Sequence, residues 1–343
     1  MSIGLRVTPG TTQQVESRRL SLYNPREKEL TPLVLRQRIY KPGVFNIAGK
    51  TSTGTVGNGR YEIFEQIGQG ATATVDLARD RESGKLCALK RPLSVSSTVK
   101  KDVIDSRFRL EGRSTIGLDH PYIISTYDIG EDQGQPYIVN ELMNGGTFRN
   151  LINILHDKNP QVKLTPQEKR YLFNDMLVFI ANICEALDYA YASDIVTHRD
   201  IKPDNILLQI KALTKAKLGD FGLAKELTRT EVTSVHSILG TIDYMSPEQV
   251  ESTRGIDMRS DLYAIGTILY EMVTGRPPFF HIPDNKSRFH HILNTAPPSP
   301  ISIDRLVDRE LSAVIMKLLE KDPYHRFQSG TKVAELLYGI AAS

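Results

Sequence analysis

The chain has 343 residues, room for one large domain or two medium ones, and its 40% hydrophobic and 24% charged residues are the balance of a folded protein with a sizeable core. It contains no run of 18 apolar residues and no apolar stretch near its N-terminus, so neither a membrane span nor a secretory leader is expected. Its two cysteines, Cys87 and Cys184, are too few for a disulfide framework; both fall in apolar patterns and are expected to be buried in a protein of the reducing cytoplasm.

Charge is spread unevenly along the chain. Residues 1–60 carry ten Lys and Arg against three Glu, a net of +7, whereas the remainder nets −4. Residues 1–60 therefore read as a basic, flexible extension, with a Gly/Thr-rich linker over 49–59 leading into a folded unit that starts at Tyr61. Composition leaves its ligand open among anionic lipid, nucleic acid, an acidic partner and none; an acidic partner is the expectation, with nucleic acid disfavoured. Gly49-Lys50-Thr51 ends like a phosphate-binding P-loop, but Val44 stands where the required glycine belongs, and no strand and helix flank it.

From Tyr61 onward, β-branched and aromatic residues between turn signals predict strands over 61–68, 74–79 and 85–91. Ile104, Phe108, Glu111, Thr115 and Leu118 then recur at helical spacing and share one face. Strands are predicted again over 123–129 and 137–140. Beyond Gly145-Gly146 the period turns helical, with one stripe running Leu172, Met176, Ile180, Ile183, Leu187 and Tyr191. Further helices are predicted over 262–273, capped by Ser260 or Asp261 and closed by Gly275, and over 311–321. The expectation is an α+β architecture, a small β-rich lobe over 61–143 followed by a larger helical lobe over 144–338.

The chemistry-bearing residues cluster in His198-Arg199-Asp200-Ile201-Lys202-Pro203-Asp204-Asn205 and, fifteen residues beyond Asn205, Asp220-Phe221-Gly222. Upstream, Gly68-Gln69-Gly70 with Val75 follows the first strand, and glycines let backbone N–H groups approach phosphates. A lone Gly-x-Gly is more often a plain turn; Lys90, twenty residues past Gly70, gives it weight. Lys90 ends Cys87-Ala88-Leu89-Lys90, and on a strand Ala88 and Lys90 point the same way. A strand-end lysine is ordinarily a surface charge. Glu111, however, lies inside an apolar helix stripe, where an unpaired carboxylate would be costly, and Lys90 is the partner that relieves it.

In order and spacing these motifs resemble the catalytic core of Hanks-type protein kinases, over residues 61–338. The resemblance implies the two-lobe protein kinase fold, transfer of the γ-phosphoryl of ATP to Ser or Thr hydroxyls of proteins, and Mg²⁺. It implies Asp200 as the group that orients the acceptor hydroxyl, Lys202 as a charge near the γ-phosphate, and Asn205 and Asp220 as metal ligands. Lys90, paired with Glu111, would hold the α- and β-phosphates. Ile67, Gly68, Gly70, Val75, Ala88, Glu141, Met143 and Leu207 would surround the nucleotide. Ala73 replaces the family's third glycine, and Asn140 stands at the gatekeeper-like position, where apolar residues or Thr are usual.

Lys202 and Thr241, the latter in Gly240-Thr241-x-x-Tyr244, resemble the Ser/Thr-specific branch. Glu248 with Arg326, and Asp261, resemble structural supports; His198 and Phe221 are expected to be packing residues. Among Thr228, Thr230, Thr233, Ser234 and Ser237, the resemblance marks Ser237, then Thr233, as activating phosphosites facing Arg199. Arg18-Arg19-Leu20-Ser21 has the form of a basophilic target, so Ser21 is a candidate self-substrate or pseudosubstrate. The rival readings are a pseudokinase scaffold, which would lack one of Lys90, Asp200 or Asp220, and a small-molecule kinase, which would lack the 240–248 segment.

Overall fold

A computed structural model describes the protein over residues 39, 45, 47–70, 73–93, 98–193, 197–210, 215–221, 242–251 and 256–343. Ser21, Val44, Gly222, the Ser/Thr cluster from Thr228 to Ser237, Gly240 and Thr241 lie outside the described residues.

Six antiparallel strands make one sheet in the order β1-β2-β3-β4-β6-β5, with β1 Gly54–Val56, β2 Tyr61–Gln69, β3 Ala73–Asp80, β4 Leu86–Pro92, β5 Thr126–Asp132 and β6 Gln135–Asn140. Four of the predicted strands match to within two residues. The strand predicted over 123–129 begins later, because Ile123 instead forms a parallel bridge with Leu218. Helix α1, Thr98–Thr115, packs across β4, β5 and β6, its Phe108 buried against Ile138 and Ala73.

Two observations correct the picture of a flexible segment before Tyr61. Gly54–Val56 is paired with β2, Val56 opposite Tyr61, and Val56 is buried with Tyr61 and Ile63. The turn between them holds Gly57, Asn58 and Gly59 at φ of 67°, 55° and 86°, the left-handed region that Gly and Asn favour. A hairpin signal was thus hidden in a composition that reads as linker. Farther upstream, Ile39 is buried in the main core cluster, because a branched apolar side chain gains more there than in water.

The larger lobe is built on α2 Phe148–Leu155, α3 Pro166–Ala192, α4 Met258–Thr274, α5 Arg309–Leu318 and α6 Gly330–Ala342. Helix α3 starts at a capping box in which Thr165 and Glu168 each bond the other's backbone N–H, with Pro166 in the first turn. Helix α6 crosses α3 so closely that a Cβ on Gly330 would meet the Cys184 carbonyl oxygen at 2.1 Å. Helix α4 is capped by Asp257, whose carboxylate accepts from the Arg259 N–H, and not by Ser260 or Asp261. Gly275 closes it at φ 82°, as the sequence predicts.

Between α3 and α4 a two-stranded hairpin, β7 Ile206–Gln209 and β8 Lys215–Leu218, carries the chemistry-bearing residues at its ends. Both cysteines are buried; burial pushes the Cys87 thiol up to about 12 and that of Cys184 well above its ordinary range, so neither is a nucleophile.

Candidate active site

Strand register sets the upper wall. Val75 lies opposite Lys90, and Ala88 opposite Asn140, so these four side chains share one face of the sheet. From that face the Lys90 ammonium reaches Glu111 Oε1 at 2.6 Å and Asp220 Oδ1 at 2.7 Å, joining strand β4, helix α1 and the segment after β8. Burial works against the Lys90 charge, but the carboxylates of Asp220 and Glu111 outweigh it and raise the ammonium above its usual range. Burial lifts the Glu111 carboxyl despite Lys90, whereas Lys90 holds Asp220 below the ordinary carboxylate range.

Asp220 sits at φ 56°, a strained conformation for a non-glycine residue costing about 1–3 kcal/mol, which its charge-assisted bond to Lys90 offsets. Its side chain nonetheless remains 54% exposed, so the carboxylate is open to the cleft.

The lower wall is the segment from Asp200 to Asn205. Asp200 Oδ2 accepts from Lys202 Nζ at 2.9 Å and from Asn205 Nδ2 at 3.1 Å, and the same amide nitrogen donates to the Asp200 carbonyl at 2.8 Å. With its N–H groups so used, the Asn205 amide oxygen is left accepting from no group among the described residues. The Gly219 N–H bonds the Asn205 carbonyl at 3.0 Å, tying the two walls together.

Beneath them, Asp261 accepts from the backbone N–H groups of His198 and Arg199, both at 2.8 Å, and holds Arg199 at φ 63°. His198 Nε2 faces the Gly219 carbonyl at 2.8 Å while the Asp200 N–H points at Nδ1, so the proton belongs on Nε2. Burial pulls this imidazole down to about 4, and its ring packs 4.7 Å from that of Phe221. Both are packing residues, as expected from sequence. Arg326 grips Glu248 with two parallel bonds at 2.7 and 2.8 Å, the expected structural pair.

The remaining sequence-derived residues lie on β2, in the turn after it, between the lobes and on β7. Ile67 and Gly68 lie on β2; the Gly70 N–H bonds the Ala73 carbonyl at 2.8 Å and closes a turn whose tip is outside the described residues. Neither glycine has positive φ, and a Cβ on Gly68 would meet Val75 only at ordinary contact, 3.6 Å. Neither position therefore requires glycine to relieve internal crowding. Glu141 and Met143 lie in the segment between the lobes, and Leu207 on β7 bridges Thr147. No side-chain hydrogen bond or ion pair among the described residues joins Ile67, Gly68, Gly70, Met143 or Leu207 to either charged wall, whereas Val75 is paired directly with Lys90 across the β3–β4 ladder.

Sequence reasoning missed three further groupings. The Glu141 carboxylate is held by Lys217 and Gln209. Arg149 bonds Glu271 and Tyr244 and reaches Asp204 beside Asn205. Asn140 is joined through the Thr126 and Thr115 hydroxyls to the Glu111 carbonyl. The partners of Glu141 and Arg149 are dozens of residues away in sequence, beyond any local pattern.

No group of three or more His, Cys, Asp or Glu that could cage a metal occurs among the described residues. Asp220 and Asn205 offer one carboxylate and one amide oxygen, hard donors in the number that suits Mg²⁺ when phosphates and water complete its shell.

The family of the protein kinase domain matches residues 61–337. PknB of Mycobacterium tuberculosis, named a serine/threonine-protein kinase, is 33% identical over 280 residues, 80% of this chain and 42% of its own. PrkC of Bacillus subtilis, likewise named, is 35% identical over 272 residues, covering 79% of this chain and 39% of itself. The chain thus spans about two fifths of the length of these curated relatives. Among solved structures, the kinase domain of Mycobacterium tuberculosis PknI aligns at a TM-score of 0.60 and 23% identity, covering 84% of this chain and 98% of that one, a likeness of fold. With its fold, its filled motifs and these relatives together, the chain belongs to the protein kinase domain family, among the Hanks-type serine/threonine kinases.

Proposed function

We propose that this protein is an ATP- and Mg²⁺-dependent serine/threonine protein kinase. The observation that carries the reading is Lys90 seated between Glu111 and Asp220, at 2.6 and 2.7 Å, opposite an Asp200 already bonded to Lys202 and Asn205. Asp200 aligns the acceptor hydroxyl and takes its proton; Lys202 and Lys90 supply fixed positive charge where phosphate oxygens gain negative charge. Asn205 and Asp220 would hold the metal, which when bound neutralises the phosphates. Ile67, Gly68, Gly70, Val75, Ala88, Glu141, Met143 and Leu207 are the nucleotide-facing set.

A pseudokinase reading finds no support in the residues, since Lys90, Asp200 and Asp220 are all present. Against a small-molecule kinase stands Tyr244-to-Glu248, with Gln249 donating to the Arg199 carbonyl at 2.9 Å and so joining that segment to the catalytic one. Autophosphorylation at Ser237 or Thr233, an acidic partner for the basic extension, and a cytoplasmic site of action belong to the same reading. The last is supported by two free, buried thiols; no helix among the described residues is long and apolar enough to cross a membrane.

The test is transfer of labelled phosphate from ATP to a protein mixture and to a metabolite panel. Label in the proteins that disappears with Asp200→Ala or Asp220→Ala is the expected result. Undiminished labelling by either variant overturns the mechanism, and label confined to metabolites overturns the substrate class.

A further inference from the structure

The side chain of Glu141 does not serve the cleft. It turns toward the β7–β8 hairpin, where Lys217 Nζ meets Oε2 at 2.6 Å and Gln209 Nε2 donates to Oε1 at 2.7 Å, with the Ser125 N–H 3.5 Å from Oε2. Both charged side chains are nearly buried, 10% exposed for Lys217 and 12% for Glu141. Burial opposes the carboxylate, yet Lys217 and Gln209 hold it ionised below its ordinary range.

The two ends of this link matter more than its strength. Glu141 begins the segment between the lobes, which supplies Glu141 and Met143 to the nucleotide-facing set proposed above and would hold the base, and its own N–H is committed to the Ser125 carbonyl at 2.8 Å. Gln209 and Lys217 lie on the hairpin that begins just after Asn205 and ends just before Gly219-Asp220, the two metal-holding positions. Stability alone does not ask for such a group here, since apolar residues of similar volume often replace buried ion pairs at no cost.

We propose that Glu141, Lys217 and Gln209 form a clamp that fixes the spacing between the base-holding segment and the metal-holding hairpin, making Lys217 and Gln209 positioning residues for the nucleotide. The proposal rests on the ATP-kinase reading. A ligand gripped at both ends gains from a preset spacing; a ligand gripped at one end does not.

That difference defines the experiment: calorimetric binding of ATP·Mg²⁺ and of adenosine to the full chain and its variants. Lys217→Met is expected to weaken ATP·Mg²⁺ about tenfold, the equivalent of about 1.4 kcal/mol, while adenosine binding stays put and Lys217→Arg restores most of the loss. Gln209→Met leaves the ion pair intact and serves if Lys217→Met fails to fold; it is expected to show the same selectivity at about threefold. Equal weakening of both ligands, or of neither, overturns the clamp while leaving the kinase reading standing. Absence of ATP·Mg²⁺ binding by the unaltered chain removes the kinase reading first, and the clamp with it.

Discussion

Two of the ion-pair clusters among the described residues are built on opposite plans. Around Arg326 everything is closed: its side chain is fully buried, two N–H groups bond Glu248, and the other three bond the carbonyls of Glu320, Arg259 and Lys321. All five donors of the guanidinium are used, so nothing remains to bind a further group. Around Lys90 the ledger is left open. One ammonium is shared by two carboxylates from different elements, negative charge is in excess, and Asp220 stays half exposed. A saturated cluster is architecture; one with surplus charge facing a cleft suits the cation and phosphates that the proposed function would bring there.

The contrast yields two opposite losses. Arg326→Ala strands a half-buried Glu248 and empties a fully buried guanidinium site, and is expected to destabilise the fold by about 3 kcal/mol, read as a large fall in Tm, with activity falling only as the folded fraction falls. Lys90→Met is expected to lower phosphoryl transfer about 10²–10³-fold with the protein still folded, read by single-turnover kinetics beside thermal denaturation. A stable Arg326→Ala variant, or a Lys90→Met variant that unfolds, breaks the distinction between the clusters.

A finer test lies just below the site, where two buried groups titrate with opposite sign. His198 falls to about 4 in the folded state from 6.5, so between those values only the unfolded chain takes up the proton, and stability drops on acidification by about 3 kcal/mol. Asp261 rises to about 7 from 3.8, driven by burial against its two backbone N–H bonds. There the folded chain holds the proton, and stability present at low pH is lost by about 4 kcal/mol as pH climbs toward 7. The two slopes largely cancel. His198→Gln is expected to uncover a decline with rising pH, and Asp261→Asn a decline with falling pH, in urea unfolding at several pH values from about 4.5 to 6.5. Parallel pH profiles for the two variants would show that neither group titrates as its burial requires.

How much of this was legible beforehand follows from distance along the chain. Asp200, Lys202 and Asn205 sit within six residues, so their spacing in sequence is nearly their spacing in space. Lys90 and Glu111 were readable because a carboxylate in an apolar stripe demands a partner. Arg326 and Glu248 were readable only through family resemblance, since nothing local asks for their meeting. Composition hid β1, because glycines that make a hairpin turn look like those of a linker. The true cap of α4, Asp257, lay a turn before the apolar period that marks the helix, while Asp261 was spent on the catalytic backbone. Glu141 shows the limit: its motif position points to the nucleotide, and only the folded hairpin reveals what its side chain holds.

The smallest effect sharpens what Asn140 does. Its Oδ1 lies 3.0 Å from the Thr126 hydroxyl, which lies 2.9 Å from that of Thr115, itself 3.0 Å from the Glu111 carbonyl. The Thr126 hydroxyl shares its one proton between Asn140 Oδ1 and Thr115 Oγ1 while Thr115 donates to the Glu111 carbonyl, so the upper wall is tied to helix α1 through that hydroxyl at the very residue that meets Lys90. Thr126→Val keeps the shape and removes the middle hydroxyl, a loss of about 0.5–1.5 kcal/mol in the placement of Glu111. The expected outcome is kcat reduced about two- to tenfold, with KM for ATP less changed and Thr126→Ser restoring the rate. In a Glu111→Gln background the same substitution is expected to cost almost nothing, because the helix no longer reports its position through the carboxylate. An equal loss in both backgrounds would mean that these hydroxyls hold the fold together and leave Glu111 to place itself.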